Sequence, residues 1–424
     1  MKRNYFPVLA TLLALTIACG GSGSGDSDSA DSGQPAEDAV MAPRFEVDPF
    51  WPKPLPNHWI LGATIGVAVD SRDHVWIVQR NTPDQFAART ELGSAQDPPV
   101  SECCNPAPPV LEFDPDGNLV GSWGGPPENG EYEWPLSNHG IVVDHMDNVW
   151  IGGNGGSDAH VLKFTRDGEF LMQLGKAGAR DTGEVRTLED GREFPIFERD
   201  SHDMESFGRV AKIAFDGEAN EMYLADGYLN RRVAVIDADT GEIKRYWGAY
   251  GDPPDDSDDP GRYVPGEPNA TQFRNPVHCA DPSNDGLVYV CDRPSDRIQV
   301  FQKDGTFVSE HIIAPATLSQ GSTWDIDFSH DPEQKYIYLA DGQNMKVYII
   351  ERETMEVLTA FGDGGRQPGM FFAVHSIAVD SMGNIYTTET YEGSRLQRFK
   401  FMGYAPVPAD AMGLNSQGVL WPTN

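Results

Sequence analysis

Positive charge is scarce in this chain. Lysine and arginine total 32 against 65 aspartates and glutamates in 424 residues, a formal net charge of -33. A surface of that sign repels phosphate backbones and anionic headgroups, so nucleic acid is excluded as a partner. Cysteine is scarcer, with five residues and no CxxC pair, which removes the usual cysteine zinc sites. The one long apolar run, "FPVLATLLALTIA", is too short to span a bilayer. Histidine is also rare, at 10 residues, so any pattern among them carries information.

What is present begins with an export signal. "MKR" is a basic start, the apolar run follows, and "LTIACGG" resembles a bacterial lipobox with Cys19 as the lipid acceptor. Residues 1–18 are expected to be a lipoprotein signal peptide, and 19–43, rich in Gly, Ser and Asp, a disordered tether. The chain is then an extracytoplasmic bacterial lipoprotein, meeting the membrane through its anchor alone. Without Cys19, four cysteines remain for an oxidising compartment: Cys103, Cys104, Cys279 and Cys291. Their pairing is left open by the sequence.

The rest repeats itself. "IGVAVDSRDHVWIVQR", "HGIVVDHMDNVWIGG", "AKIAFDGEANEMYLADG", "HCADPSNDGLVYVCDR", "WDIDFSHDPEQKYIYLADG" and "HSIAVDSMGNIYTTET" are six copies of one phrase. Each is an alternating strand, a polar turn and a second strand centred on Trp or Tyr, the signature of a hairpin. Most are followed by a second hairpin such as "LEFDPDGNLVGSWG", and Gly 44 and Pro 32 supply the turns. The fold class is all-β, a six-bladed β-propeller over residues 44–405, with 406–424 as a tail. Phrases such as "NRRVAVID", "DRIQVF" and "SRLQRF" resemble NHL repeats. Three insertions, about 82–110, 176–208 and 251–274, interrupt the pattern.

The histidines fall on this repeat. His139, His278 and His375 each lie eleven residues before the aromatic of the second strand: Trp150, Tyr289 and Tyr386. They occupy one register in blades two, four and six, where the other blades carry Ile65, Ala211 and Trp324. First strands line the channel of a propeller, so alternate blades bring three imidazoles to its axis. Three histidines with a position left open suit a catalytic zinc. The other seven histidines share no register. Arg80 and Arg293 lie four residues after the second-strand aromatics of their blades, and Tyr228 five after Tyr223, all at one mouth. Two guanidiniums there would hold a carboxylate, and a tyrosine beside them would act as a base.

This set resembles the catalytic core of peptidyl-α-hydroxyglycine α-amidating lyase. That family's metal histidines open phrases like "HGIVVDHMDNVWI", "VHCADPSNDGLVYVCDR" and "VHSIAVDSMGNIY", matching His139, His278 and His375. Its catalytic tyrosine lies in a phrase like "DGYLNRR", matching Tyr228, and its functional arginines match Arg80 and Arg293. The resemblance runs over about 60–400 and implies zinc, a peptide or small carboxylate with an α-hydroxyglycine end as substrate, and release of an amide and glyoxylate. It also implies a structural calcium held partly by the backbone carbonyls of Val67 and Ile141. Ser376 stands where the family has the calcium aspartate, and Leu229 where it often has cysteine, so calcium is the weaker metal expectation. No copper monooxygenase domain precedes the repeats, so the substrate would be made elsewhere.

Two other classes are weighed. A non-enzymatic NHL propeller would serve as an extracytoplasmic binding or scaffold module. A calcium lactonase of the gluconolactonase type needs a set of Glu, Asp and Asn ligands that the histidine register does not offer.

Overall fold

The computed structural model describes residues 39–81 and 89–407. Cys19, the signal segment and most of the tether and tail expectations lie outside these residues. Among the described residues, six four-stranded antiparallel sheets form the blades, with two two-stranded sheets beside them. Their inner strands are Thr64–Val69, Asn138–Val143, Val210–Asp216, Val277–Pro282, Asp325–Phe328 and Val374–Val379, blades one to six in order. Each touches the next, and the last touches the first, closing a ring around a channel.

The repeated phrase has a physical cause. In blade two, Asp144 Oδ1 accepts the N–H groups of Met146 and Asn148, and Oδ2 accepts the Trp150 indole at 3.0 Å. Asp70 does the same for Arg72, His74 and Trp76, and Asp380 for Met382, Asn384 and the Tyr386 hydroxyl. One carboxylate thus caps the turn and aims the aromatic six residues on. The turn needs a left-handed residue, filled by Asp73, Asp147 and Gly383 at φ of 59°, 62° and 81°. Burial pushes the Asp144 carboxyl up, but these hydrogen bonds outweigh it and hold the group below its ordinary value.

The "NRR", "DR" and "SR" phrases form a second lock. Arg232 pairs with Asp226 at 2.8 Å, Arg297 with Asp292 at 2.7 Å and Arg395 with Glu389 at 2.7 Å. Each pair ties the start of a third strand to the end of the second. The hydrophobic core is divided among the six blade interfaces. Trp76, Ile151 and Phe164 meet between blades one and two, and Phe45, Tyr338 and Phe361 between blades five and six.

Blade six finds its outer strand at the other end of the chain. Met41–Asp48 pairs antiparallel with Arg395–Pro406. This closing strand begins three residues inside the segment expected as tether, because Ala42 and Phe45 are buried in the seam. The blade-six sheet likewise runs to Pro406, and Val407 donates its N–H to Val40. The propeller boundaries are therefore wider than the expected 44–405. Of the insertions, the second forms an exposed hairpin, Asp181–Thr187 with Glu193–Phe197. The third, 251–274, has no strand. Among the described residues no helix is long and apolar enough to cross a membrane.

Candidate metal centre

Each histidine owes its aim to a break in strand register. The ladder of blade four steps from Val277–Asp292 to Cys279–Cys291, leaving His278 as the extra residue. In blade six it steps from Val374–Glu389 to Ser376–Thr388 around His375, and in blade two from Asn138–Gly153 to Ile141–Ile151 around His139. Ile65 and Ala211 sit at the same breaks in blades one and three. A bulge turns its extra residue off the sheet face, here toward the channel axis.

The three imidazoles converge, with ring centroids 5.2, 4.7 and 4.9 Å apart, and all are buried. Their orientation is set by the residues that hold the same register in the intervening blades. His139 Nδ1 donates to the Ala211 carbonyl at 2.6 Å, His375 Nδ1 to Ile65 at 2.8 Å, and His278 Nδ1 to Trp324. A carbonyl only accepts, so each Nδ1 carries the proton and each Nε2 is left as a lone pair. Burial lowers all three pKa values. Repulsion from His375 and Arg80 adds to this at His139, from Arg293 at His278, and from Arg293 and Arg80 at His375, which is brought to about 3. The rings are therefore neutral at neutral pH.

Tyr228, Arg293 and Arg80 all reach this centre. The Tyr228 hydroxyl lies 2.9 Å from His139 Nε2, 3.1 Å from His278 Nε2 and 3.2 Å from Arg293 Nη1, whose N–H it accepts. Arg293 stacks on Trp324 at 4.6 Å and on Tyr228 at 5.6 Å, and its Nη2 donates to Gln320 at 3.2 Å. Arg80 Nη2 donates to Asn154 at 2.9 Å. The buried Nε of both arginines has no partner among the described residues. Arg297, not Arg293, makes the repeat-stabilising pair with Asp292, which leaves Arg293 to the site.

These donors suit zinc. One hydroxyl hydrogen cannot satisfy two Nε2 lone pairs at once, and the three candidate ligand atoms lie within 4.8 Å of one another. Surplus lone pairs on neutral imidazoles fit a cation. Asn154, Gln320 and the Trp324 ring were missed by the sequence reading. Asn154 had a signal, since it lies four residues after Trp150, the offset of Arg80 from Trp76 and Arg293 from Tyr289.

The calcium level is built differently. Val67 and Ile141 line a cavity of about 290 Å³ further along the channel, together with Lys212, Asp281 and Asp327. Lys212 Nζ pairs with Asp281 at 2.7 Å and Asp325 at 2.5 Å and donates to the Ile326 carbonyl at 2.8 Å. The Lys212 ammonium already occupies the place between these carboxylates, bringing one positive charge where a calcium ion would bring two. Ser376 Oγ lies 3.2 Å from His375 Nδ1. Two other acidic clusters are also spoken for. Arg166 fills the group of Asp70, His74 and Glu112. Cys279, beside Asp281 and Asp325, is tied to Cys291 in a cross-strand disulfide and offers no thiolate. The second disulfide joins the neighbours Cys103 and Cys104.

Fold and centre together define an NHL-type six-bladed β-propeller with a three-histidine core. No family model matches the chain. It is similar to NHL repeat-containing protein 3 of Mus musculus, 25% identical over 328 residues, covering 75% of this chain and 70% of that protein. Among solved structures it resembles a streptogramin B lyase at TM-score 0.47 and 12% identity, covering 84% of this chain and 98% of the other. A virginiamycin B lyase from Staphylococcus aureus follows at TM-score 0.43 and 10% identity, over 84% and 99%.

Proposed function

We propose that this chain is a zinc-dependent carbon–nitrogen lyase that splits a carbinolamide, an N-acyl-α-hydroxyglycine or close relative, into an amide and glyoxylate. One observation carries the reading: the Tyr228 hydroxyl sits within hydrogen-bond reach of two metal-facing imidazole nitrogens and of the Arg293 guanidinium. His139, His278 and His375 would hold the zinc, which supplies a Lewis acid for the substrate hydroxyl when bound. Tyr228, in its phenolate form, would take the hydroxyl proton. The oxygen lone pair so freed forms the aldehyde C=O as the C–N bond breaks. The departing amide nitrogen keeps that bond's electrons and receives the proton back from Tyr228. Arg80 and Arg293 bind the substrate carboxylate through their guanidiniums. Atoms and electrons balance without a redox cofactor. We further propose export and anchoring through Cys19 at an extracytoplasmic membrane face, where the two disulfides would persist.

The test is glyoxylate release from N-acyl-α-hydroxyglycines by the full zinc-loaded chain. Tyr228→Phe is expected to lower kcat by about 10²–10⁴-fold, the range of a lost general base, with zinc content unchanged. Unaltered kcat in that variant, or no glyoxylate from the wild type across the substrate series, overturns the reading.

A further inference from the structure

Beside the metal centre lies a cavity of about 940 Å³, walled by the 251–274 insertion, which the chemistry above does not use. Its back wall is shared with the site. Arg231 is three residues past Tyr228, and Pro294 follows Arg293. Ser319 precedes Gln320, the residue that binds Arg293. Asn275 donates to the carbonyls of Gly227 at 2.7 Å and Leu229 at 3.1 Å, on either side of Tyr228.

The lining runs against the charge of the whole protein. Arg231, Arg262 and Arg274 face the cavity with one carboxylate, Asp259, in a chain whose net charge is -33. None of the three arginines makes a direct ion pair among the described residues, although Asp256, Asp258 and Asp259 act on Arg231, and Asp292 on Arg274, from further off. Arg231 gives its Nε to Asn275 at 3.0 Å and its Nη1 to the Asp258 carbonyl, and its Nη2 has no partner there. Arg274 gives its N–H groups to Gly261, Pro260 and Ser295, all neutral. Arg262 is exposed and makes no side-chain hydrogen bond among the described residues. Asp255 and Asp256, close by in sequence, are spent on Ser257 and Ser201. Between the arginines the cavity offers Tyr263, Val264 and Leu318, the last two 46% and 57% exposed. The loop is held in place, since Tyr263 donates to Pro315 at 2.9 Å and Asp255 N–H to Gln272 at 3.0 Å.

We infer that this cavity binds the acyl side of the substrate, and that it selects a peptidyl chain carrying an apolar side chain next to a carboxylate. The inference rests on the lyase reading for the word substrate, but not for the binding itself. Guanidiniums whose hydrogen bonds go to neutral groups, and whose burial outweighs the carboxylates nearby, favour an anion, and the exposed apolar wall favours a hydrocarbon. The acidic exterior repels an anionic peptide everywhere else, so the preference is local.

The experiment is calorimetric binding of three inert peptides to the full chain: N-acetyl-Leu-Glu-amide, N-acetyl-Leu-Gln-amide and N-acetyl-Leu-Lys-amide. The glutamate peptide is expected to bind about 10-fold tighter than the glutamine peptide, as a charge-assisted hydrogen bond exceeds a neutral one. Arg262→Gln, at an exposed position that folding does not need, is expected to reduce that preference to about 3-fold or less. Leu318→Ser is expected to weaken all three peptides alike. Equal binding of all three peptides, or a preference that survives both Arg262→Gln and Arg231→Gln, overturns the inference. A preference without glyoxylate release sinks only the lyase reading. Glyoxylate released equally from acidic and neutral acyl chains sinks only this one.

Discussion

Two levels of the central channel are built from the same inner strands and carry opposite chemistry. At the bulges, three neutral imidazoles present lone pairs, flanked by arginines whose buried Nε atoms have no partner. One to three residues further along those strands, Lys212 satisfies Asp281 and Asp325, and backbone N–H groups of Val379 and Ile377 satisfy Asp327 and Asp325. The second level pairs its charges around one ammonium, with only Asp281 Oδ2 left unpartnered, and so has the character of a rivet. The first leaves its demands unmet and so has the character of a site. Buried polarity alone does not mark function. Several unpartnered groups gathered around basic nitrogens in one place do.

The comparison breaks most sharply at the imidazoles. His278→Ala is expected to take zinc from about one per chain to none by mass spectrometry, because two nitrogens are too few to hold the ion firmly. Lys212→Met should leave zinc stoichiometry alone and instead cost about 3–5 kcal/mol in urea unfolding, the usual result of stranding a buried carboxylate. Removing the Cys279–Cys291 link by a double alanine replacement is expected to cost about 2–4 kcal/mol. It should also loosen zinc, because the link joins the residue after His278 to the one two before Arg293.

Acidity should move the two levels in opposite directions. Burial raises the Asp327 carboxyl from 3.8 to about 6, against the pull of Lys212. The folded state then binds more protons than the unfolded state between those values, so this group's stability contribution falls as pH rises through them. Asp327→Asn is expected to flatten that fall in a series of urea midpoints. His375 is depressed from 6.5 to about 3 by burial and the two arginines, so its contribution in the metal-free protein is lost as pH falls through that window. The smallest effect is expected at Asn154→Ala. It frees Arg80 to wander and should raise KM about 3- to 10-fold while kcat changes little, the pattern of lost binding rather than lost chemistry.

Much of this was legible in the sequence because it rests on spacing. The hairpin phrase recurs six times and so announced six blades, the aspartate-to-aromatic lock recurs at a fixed interval in blades one, two and six, and counting back from the aromatic found the three histidines. What stayed hidden depends on contacts across the ring. Nothing local in "MAPRFEVD" says that it completes the last blade, since its partner is at the far end of the chain. The bulges that aim the histidines are a property of paired strands. Lys212 reads as an ordinary alternating polar residue until two other blades bring Asp281 and Asp325 to it. Gln320 lies in a loop outside the repeat and meets Arg293 only through the packing of blades four and five.

The closing strand also sets an order of events during synthesis. Met41–Asp48 leaves the ribosome early, yet its mate arrives late: Asp48 is bonded to Arg398, 350 residues on. The sixth blade that this union completes is the one that delivers His375. A chain broken off before its last blade therefore lacks both its seam and its third imidazole. The three-histidine cluster is therefore complete only in a chain translated through its last blade.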